Sequence, residues 1–481
     1  MKNLKYLLIG ATILLSSCEK LVDVEPRNSI SEATALSSIS GYDAVLVSAY
    51  DRLQNWNYWG RDMALLGDVL ADNSFAESAI GSGYVNYNRN VANGHYDIWA
   101  TAYTAINDVN TIIAGIDKLE IPTSSQAQRN QIKGEALALR ALVYFDLARV
   151  YGYEPNQIPA SGTGAGFNKS VVLRLTPTAV IADAQPKNRA TVAEVYASIE
   201  KDLKDALTLL PATSSSFRLN KGAVNALLGK VYLYAERYTD AVAQFNTALA
   251  STSAKLSTAG TYATAFRTVP NPESLFELTF VQSTEIIGIA GGNTLFSATQ
   301  PNLTNALGYS TSGSNTVADE LLSLFETADD RRTLFFNRNV GTGSVFYNWS
   351  NKYSSANGAF TDNIKIIRYA DVLLMKAEAL AELNQYADAA ALVVQLRGSR
   401  NATVNNVPTN VNIKNYIQDE RRRELFFEGH RWFDLKRKGA GISKPAKTSV
   451  GSLSPLDYRI LAPLPAADVQ LNRALPQNPN Y

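Results

Sequence analysis

The chain has 481 residues, ample for a large core and, by length alone, for roughly two to four domains. Its 45 basic and 44 acidic residues leave a net charge of +1 and are spread along the sequence, which argues against a nucleic-acid footprint or an electrostatically held membrane surface. A single cysteine and two separated histidines exclude an intramolecular disulfide and a zinc cluster of the usual ligands.

The N-terminus reads as a targeting segment. Lys2 and Lys5 precede an apolar run from Tyr6 to Leu15, too short for a spanning helix, which needs about twenty residues. The run ends in Leu15-Ser16-Ser17-Cys18, the arrangement a lipoprotein signal peptidase requires. Residues 1–17 are therefore expected to be a signal peptide, and 18–40 a tether lipidated at Cys18 that anchors the protein without spanning.

The predicted elements beyond it are mainly α. Gly41 to Gln54 places Tyr42, Val45, Leu46, Ala49 and Leu53 on one helical face. An aromatic, polar stretch follows, then two long helices, one lined by Trp99, Tyr103, Ile106, Ile113 and Ile116, the other from Ile132 to Val150. Thr191 with Glu194 forms a capping box that opens a helix ending before Pro211. Asn220 to Ala250 fits a tetratricopeptide repeat with Gly229 as its small eighth position and Leu228, Tyr232, Ala241, Phe245 and Ala248 in register; only the leading tryptophan position departs, as Asn225. A weaker copy spans Leu373 to Leu396, with Asn384-Gln385-Tyr386 as its turn. Between Leu256 and Asn363, Gly, Ser, Thr and Asn dominate and helical runs are short, Val317 to Thr327 being the best; such long irregular segments are usually functional or disordered. Residues 41–481 are read as one domain, repeat-rich over 41–255 and loop-rich over 256–481.

The densest stretch is DERRRELFFEGHRWFDLKRK, Asp419 to Lys438, with twelve charges and four aromatic rings in twenty residues. Leu425/Phe426 and Trp432/Phe433 form stripes on two helical segments flanking Gly429, and Arg421–Glu424, Glu428–Arg431 and Asp434–Lys438 fall at helical contact spacings. Such a segment needs both a covering surface and charge partners, so it is expected to latch onto a helical body. Glu428, His430 and Asp434 offer a rival catalytic reading, but the surrounding arginines would hold the carboxylates ionised and paired. There is no G-x-S-x-G elbow, P-loop or strand-borne G-x-G-x-x-G, and no catalytic residue, metal or cofactor is assigned. What remains is aromatic residues among polar loops: Trp56, Tyr58, Trp59, Arg61, Asn73, Tyr84 and Tyr87 in one cluster, Tyr347, Trp349 and Tyr353 in a second. Flat rings beside Asn and Arg suit a sugar's C–H faces and hydroxyls; plugging of the loops onto the body is the alternative use of the same rings.

The latch resembles the C-terminal signature of the SusD/RagB family of Bacteroidetes outer-membrane lipoproteins, through Glu420, Arg421, Arg422, Glu424, Leu425, Glu428, Gly429, Arg431, Asp434, Leu435 and Arg437; Trp432 belongs to the same structural motif. IRYADVLLMKAEAL (367–380) and the closing LAPLPAADVQLNRALPQNPNY are similar to further family motifs, with Asn480 where glycine is usual. The resemblance implies a mainly α, tetratricopeptide-rich SusD-like body with long irregular ligand-binding loops. It further implies a non-enzymatic surface lipoprotein that captures oligosaccharide or another nutrient for a SusC-like TonB-dependent transporter in the outer membrane, with no nucleic-acid partner. A surface glycoside hydrolase and a tetratricopeptide adaptor for peptides or proteins are the other readings.

Overall fold

A computed structural model describes residues 35–76, 83–212, 215–281, 295–300, 315–339, 346–356, 358, 361–448 and 450–481. The signal peptide, Cys18 and most of the tether lie outside these residues.

Helices stack side by side over a large core, with a separate buried cluster around Leu373, Val393 and Ile417 and a small one at Phe75, Tyr347 and Trp349. α1 (Ile39–Leu53) is capped by the Ser38 hydroxyl and lays Tyr42, Leu46, Ala49 and Leu53 against α3 (Trp99–Gly115) and α4 (Gln126–Tyr151). α4 is longer than its apolar stripe suggests and is buried on almost every face from Gly134 onward. It therefore sits at the centre, between α3 and α5 (Val192–Leu209). The expected capping box at the start of α5 forms: the Thr191 hydroxyl accepts from the Glu194 N–H, and the Glu194 carboxylate accepts from the Thr191 N–H.

The first repeat is the hairpin of α6 (Lys221–Tyr234) and α7 (Tyr238–Ala250); the second is α8 (Tyr369–Glu382) and α9 (Tyr386–Gly398). Gly229 is small because a Cβ there would stand 2.5 Å from the Phe245 ring, so the repeat's small position is a direct helix-to-helix contact. α7 packs on α8, which joins the repeats although 118 residues separate Ala250 from Tyr369. Both hairpins turn through one left-handed residue, Glu236 (φ 57°) in the first and Asn384 (φ 62°) in the second. Asparagine takes that conformation at little cost and glutamate at a larger one, so Glu236→Gly is expected to stabilise the protein by about 1 kcal/mol, measured as a rise in urea midpoint. Asn480 also adopts a left-handed φ, 68°, at the family's usual glycine position.

The region read as mostly irregular contains strands instead. β1 (Ser74–Phe75), β3 (Thr316–Val317), β5 (Phe346–Ser350) and β4 (Phe335–Asn339) pair in that order in one antiparallel sheet, while β2 (Ser274–Leu278) pairs with β6 (Ile364–Arg368). The helix expected over 317–327 is a single turn, Asp319–Leu322, because Val317 belongs to β3 and Ala318 continues in extended backbone. No helix among the described residues is long and apolar enough to cross a membrane.

Candidate functional site

The latch folds as α10 (Ile413–Leu425) and α11 (Arg431–Arg437), separated by Phe427 and Gly429, both at positive φ. None of the three local ion pairs that helical spacing suggests is found among the described residues; most of the latch's charges pair with distant chain instead. Glu424, fully buried, receives Arg331 (3.1 Å), Arg368 (2.9 Å) and Arg400 (2.9 Å). Glu420 receives Arg331, Arg397 and its helical neighbour Arg423, and Glu428 receives Arg368 and Lys352. Arg421 bridges Asp371 and Asp434, and Arg437 joins Glu378 to Asp434. Arg431 makes a two-point contact with Asp72 at 2.7 and 2.8 Å, while Arg422 reaches Asn73 and the Asp72 carbonyl. Trp432 is fully buried, edge-on to His95. The latch supplies only part of its own counter-charge, through Arg423–Glu420, Arg421–Asp434 and Arg437–Asp434, and the remaining partners come from β6, α8, α9 and the loops around them.

Electrostatics leave little for proton chemistry here. Burial by itself would raise the Glu420 carboxyl, but the guanidiniums of Arg331, Arg423 and Arg397 overcome it and hold the group at about 2; Glu424, Glu428 and Asp434 are likewise held low by their cations. Burial drives His430 down to about 3, so its imidazole is neutral. Glu428 and Asp434 sit in different ion-pair groups, and no side-chain hydrogen bond links either to His430 among the described residues. A carboxyl held at about 2 when folded and near 4.5 when unfolded contributes stability above the upper value and loses it as pH falls toward the lower. Melting temperature should therefore drop between about pH 5 and pH 2.5, and Glu420→Gln should make that slope shallower.

The aromatic clusters divide sharply. In the first, Trp56 is 46% exposed, with the Arg61 guanidinium stacked 4.6 Å from its ring centroid. Arg61 also lies 5.5 Å from the Tyr84 ring, and Tyr84 contacts Tyr87 at 5.6 Å. Two contacts to Asp62, at 2.7 and 3.2 Å, fix the guanidinium plane. Segments 56–61 and 84–87 thus meet in one ring–cation–ring stack, exposed chiefly at Trp56 and partly at Tyr87, with Asn55, Asn86 and Arg89 at the surface beside them in sequence. Tyr58 and Trp59 are not part of that surface. Both are buried and donate to Asp146 on α4, at 2.9 and 2.8 Å, so they tie the loop to the body. Asn73 is buried as well, donating to Asp68 and accepting from Arg422.

The second cluster is structural. Tyr347 and Trp349 occupy alternate positions of β5 and both turn inward against Phe75, while Tyr353 is buried beside Phe266. Lys352, next to Tyr353 in sequence, is buried on Glu428. The ring the same strand does expose is Phe346, at 55%. Its period-two alternation, F-Y-N-W-S, was the available strand signal.

A charge-pinned helical-repeat body carrying a small exposed ring-and-guanidinium patch describes a binding scaffold by class. Residues 20–233 match a family model described as starch-binding, associating with the outer membrane, and residues 333–481 match the SusD family model. The chain belongs to the SusD/RagB family. A SusD-like protein of Formosa agariphila is 27% identical across 100% of this chain and 99% of its own length. Among solved structures, a SusD superfamily protein from Bacteroides thetaiotaomicron superposes with a TM-score of 0.80 at 24% identity, covering 92% of this chain and 100% of that one. A SusD-like carbohydrate binding protein from Bacteroides vulgatus gives 0.77 at 23% identity, covering 91% and 97%.

Proposed function

We propose that this protein is a cell-surface glycan-binding lipoprotein that captures oligosaccharide and passes it to a SusC-like TonB-dependent transporter without chemical turnover. The observation that carries the reading is the Trp56–Arg61–Tyr84–Tyr87 stack: an exposed flat ring for a sugar's C–H face, backed by a guanidinium whose orientation Asp62 fixes. The family description of starch binding at the outer membrane supports the same class of ligand and the same location. Anchoring falls to Cys18, and residues 41–481 act as a single ligand-holding domain.

Rings fixed before the ligand arrives lose little freedom on binding, so stacking contributes to affinity without a large ordering cost. Trp56→Ala is expected to weaken binding of malto-oligosaccharides, or of whichever glycan a panel selects, by at least about tenfold in calorimetry, a loss of roughly 1.4 kcal/mol. Its melting temperature should stay unchanged, because Trp56 is half exposed. Undiminished affinity would remove this patch from the site. Sustained release of shortened products from the pure protein would replace the binding reading with a glycosidase.

A further inference from the structure

A second concavity lies away from the ring stack, between α3, the 172–187 loop and α12 (Ala466–Leu471) near the C-terminus, with a volume of about 650 Å³. That size falls within the range of small-ligand and peptide pockets. Its floor is apolar and aromatic: Trp99 and Tyr103, in ring contact at 4.8 Å, with Val172 and Leu475. Leu471 stands 86% exposed at the rim, at the end of α12, and a neighbouring depression that shares Thr178 and Ala184 with the cleft carries Ile181 at 93%. Large aliphatic side chains held almost wholly in water beside a cleft mark a surface shaped to be covered.

Charge says by what. Lys187 and Asp468 both line the cleft, and neither side chain has a hydrogen-bond or ion-pair partner among the described residues. Asn472 holds their two segments together, donating from its side chain to the Lys187 carbonyl at 2.9 Å and from its backbone to the Asp468 carbonyl at 2.9 Å. Arg174 lines the cleft as well, its guanidinium donating to the Gln185 carbonyl at 2.9 Å, so the mouth offers one unengaged cation and one anion on a braced frame around an apolar floor. A neutral sugar would leave both charges unanswered, and Trp99 at 5% exposure offers it little ring face.

We propose that this cleft binds an extended peptide segment carrying a large apolar side chain flanked by one basic and one acidic residue. The apolar side chain enters past Leu471 onto Tyr103 and Leu475, the basic residue pairs with Asp468, and the acidic residue pairs with Lys187. The site stands apart from the glycan reading and does not depend on it.

The test is calorimetric titration of the full protein with the blocked tripeptide acetyl-Lys-Phe-Glu-amide, with acetyl-Ser-Phe-Ser-amide and maltotriose as alternative probes. The charged peptide should bind with Kd below about 1 mM, at least fivefold tighter than the uncharged one. Leu471→Asp should weaken it at least tenfold without moving the melting temperature, and Asp468→Asn together with Lys187→Gln should remove the preference for charge. Trp56→Ala should leave peptide affinity unchanged. No binding by the native protein, equal affinity for the two peptides, or binding indifferent to Leu471→Asp would each overturn the proposal. Maltotriose binding that Leu471→Asp weakens would overturn it in favour of a second sugar subsite.

Discussion

Glu424→Ala is expected to destabilise the protein by about 3–5 kcal/mol, the cost typical of removing one partner from a buried ion pair. The reason is the balance around it. Arg331, Lys352, Arg368, Arg397, Arg400 and Arg423 face Asp329, Glu273, Glu326, Glu420, Glu424 and Glu428, six cations against six carboxylates. Only Glu326 reaches solvent appreciably. Deleting Glu424 leaves Arg331, Arg368 and Arg400, each at most 1% exposed, short of a shared acceptor and one charge in excess. Water cannot replace the lost oxygens without opening the core. The loss should persist in high salt, because counter-ions do not reach these side chains, and urea unfolding at two salt concentrations would check both points. A loss below about 1 kcal/mol, as for an exposed pair, would mean that the network is hydrated.

Gly429→Ala should be comparably severe, for a steric reason. Gly429 has φ 79°, and a Cβ there would stand 2.1 Å from the Met63 carbonyl oxygen of α2 (Asp62–Val69). A non-glycine residue in the left-handed region costs roughly 1–3 kcal/mol, and overpacking a close contact adds about 1–3 more. The obstacle is backbone, which cannot swing aside as a long side chain could. Gly67 provides the comparison: its Cβ would lie 3.0 Å from the Gly429 carbonyl carbon at an ordinary φ, so Gly67→Ala should cost clearly less. Denaturant midpoints of the two variants measure the difference. Equal losses would show that crowding, and not backbone conformation, sets the demand for glycine at position 429.

These two positions show how far local sequence patterns reach. The helices were legible because their determinants are local: the Thr191–Glu194 cap of α5, and the Gly229–Phe245 register and the Asn384 turn of the repeats, all act within about thirty residues. Apart from the alternation in β5, the strands were not legible, because a strand is decided by its neighbour. Thr316–Val317 and Ile364–Arg368 owe their conformation to partners at Ser74–Phe75 and Ser274–Leu278. The candidate site was legible by composition and misread in detail. Trp56, Tyr58 and Trp59 stand within four residues, yet Trp56 faces water while the other two hydrogen-bond to Asp146, some ninety residues away.

Periodicity and charge density are properties of a segment, so the helical class, the repeat, the family signature and the need for the latch to be covered and paired could be read along the chain. Which charges meet depends on how the elements pack. Glu428 lies three residues from Arg431 but pairs with Arg368 and Lys352, and Arg431 pairs with Asp72, 359 positions earlier. Burial removes the water that would let neighbouring charges settle for one another, so each must take the partner that the packed elements bring within reach.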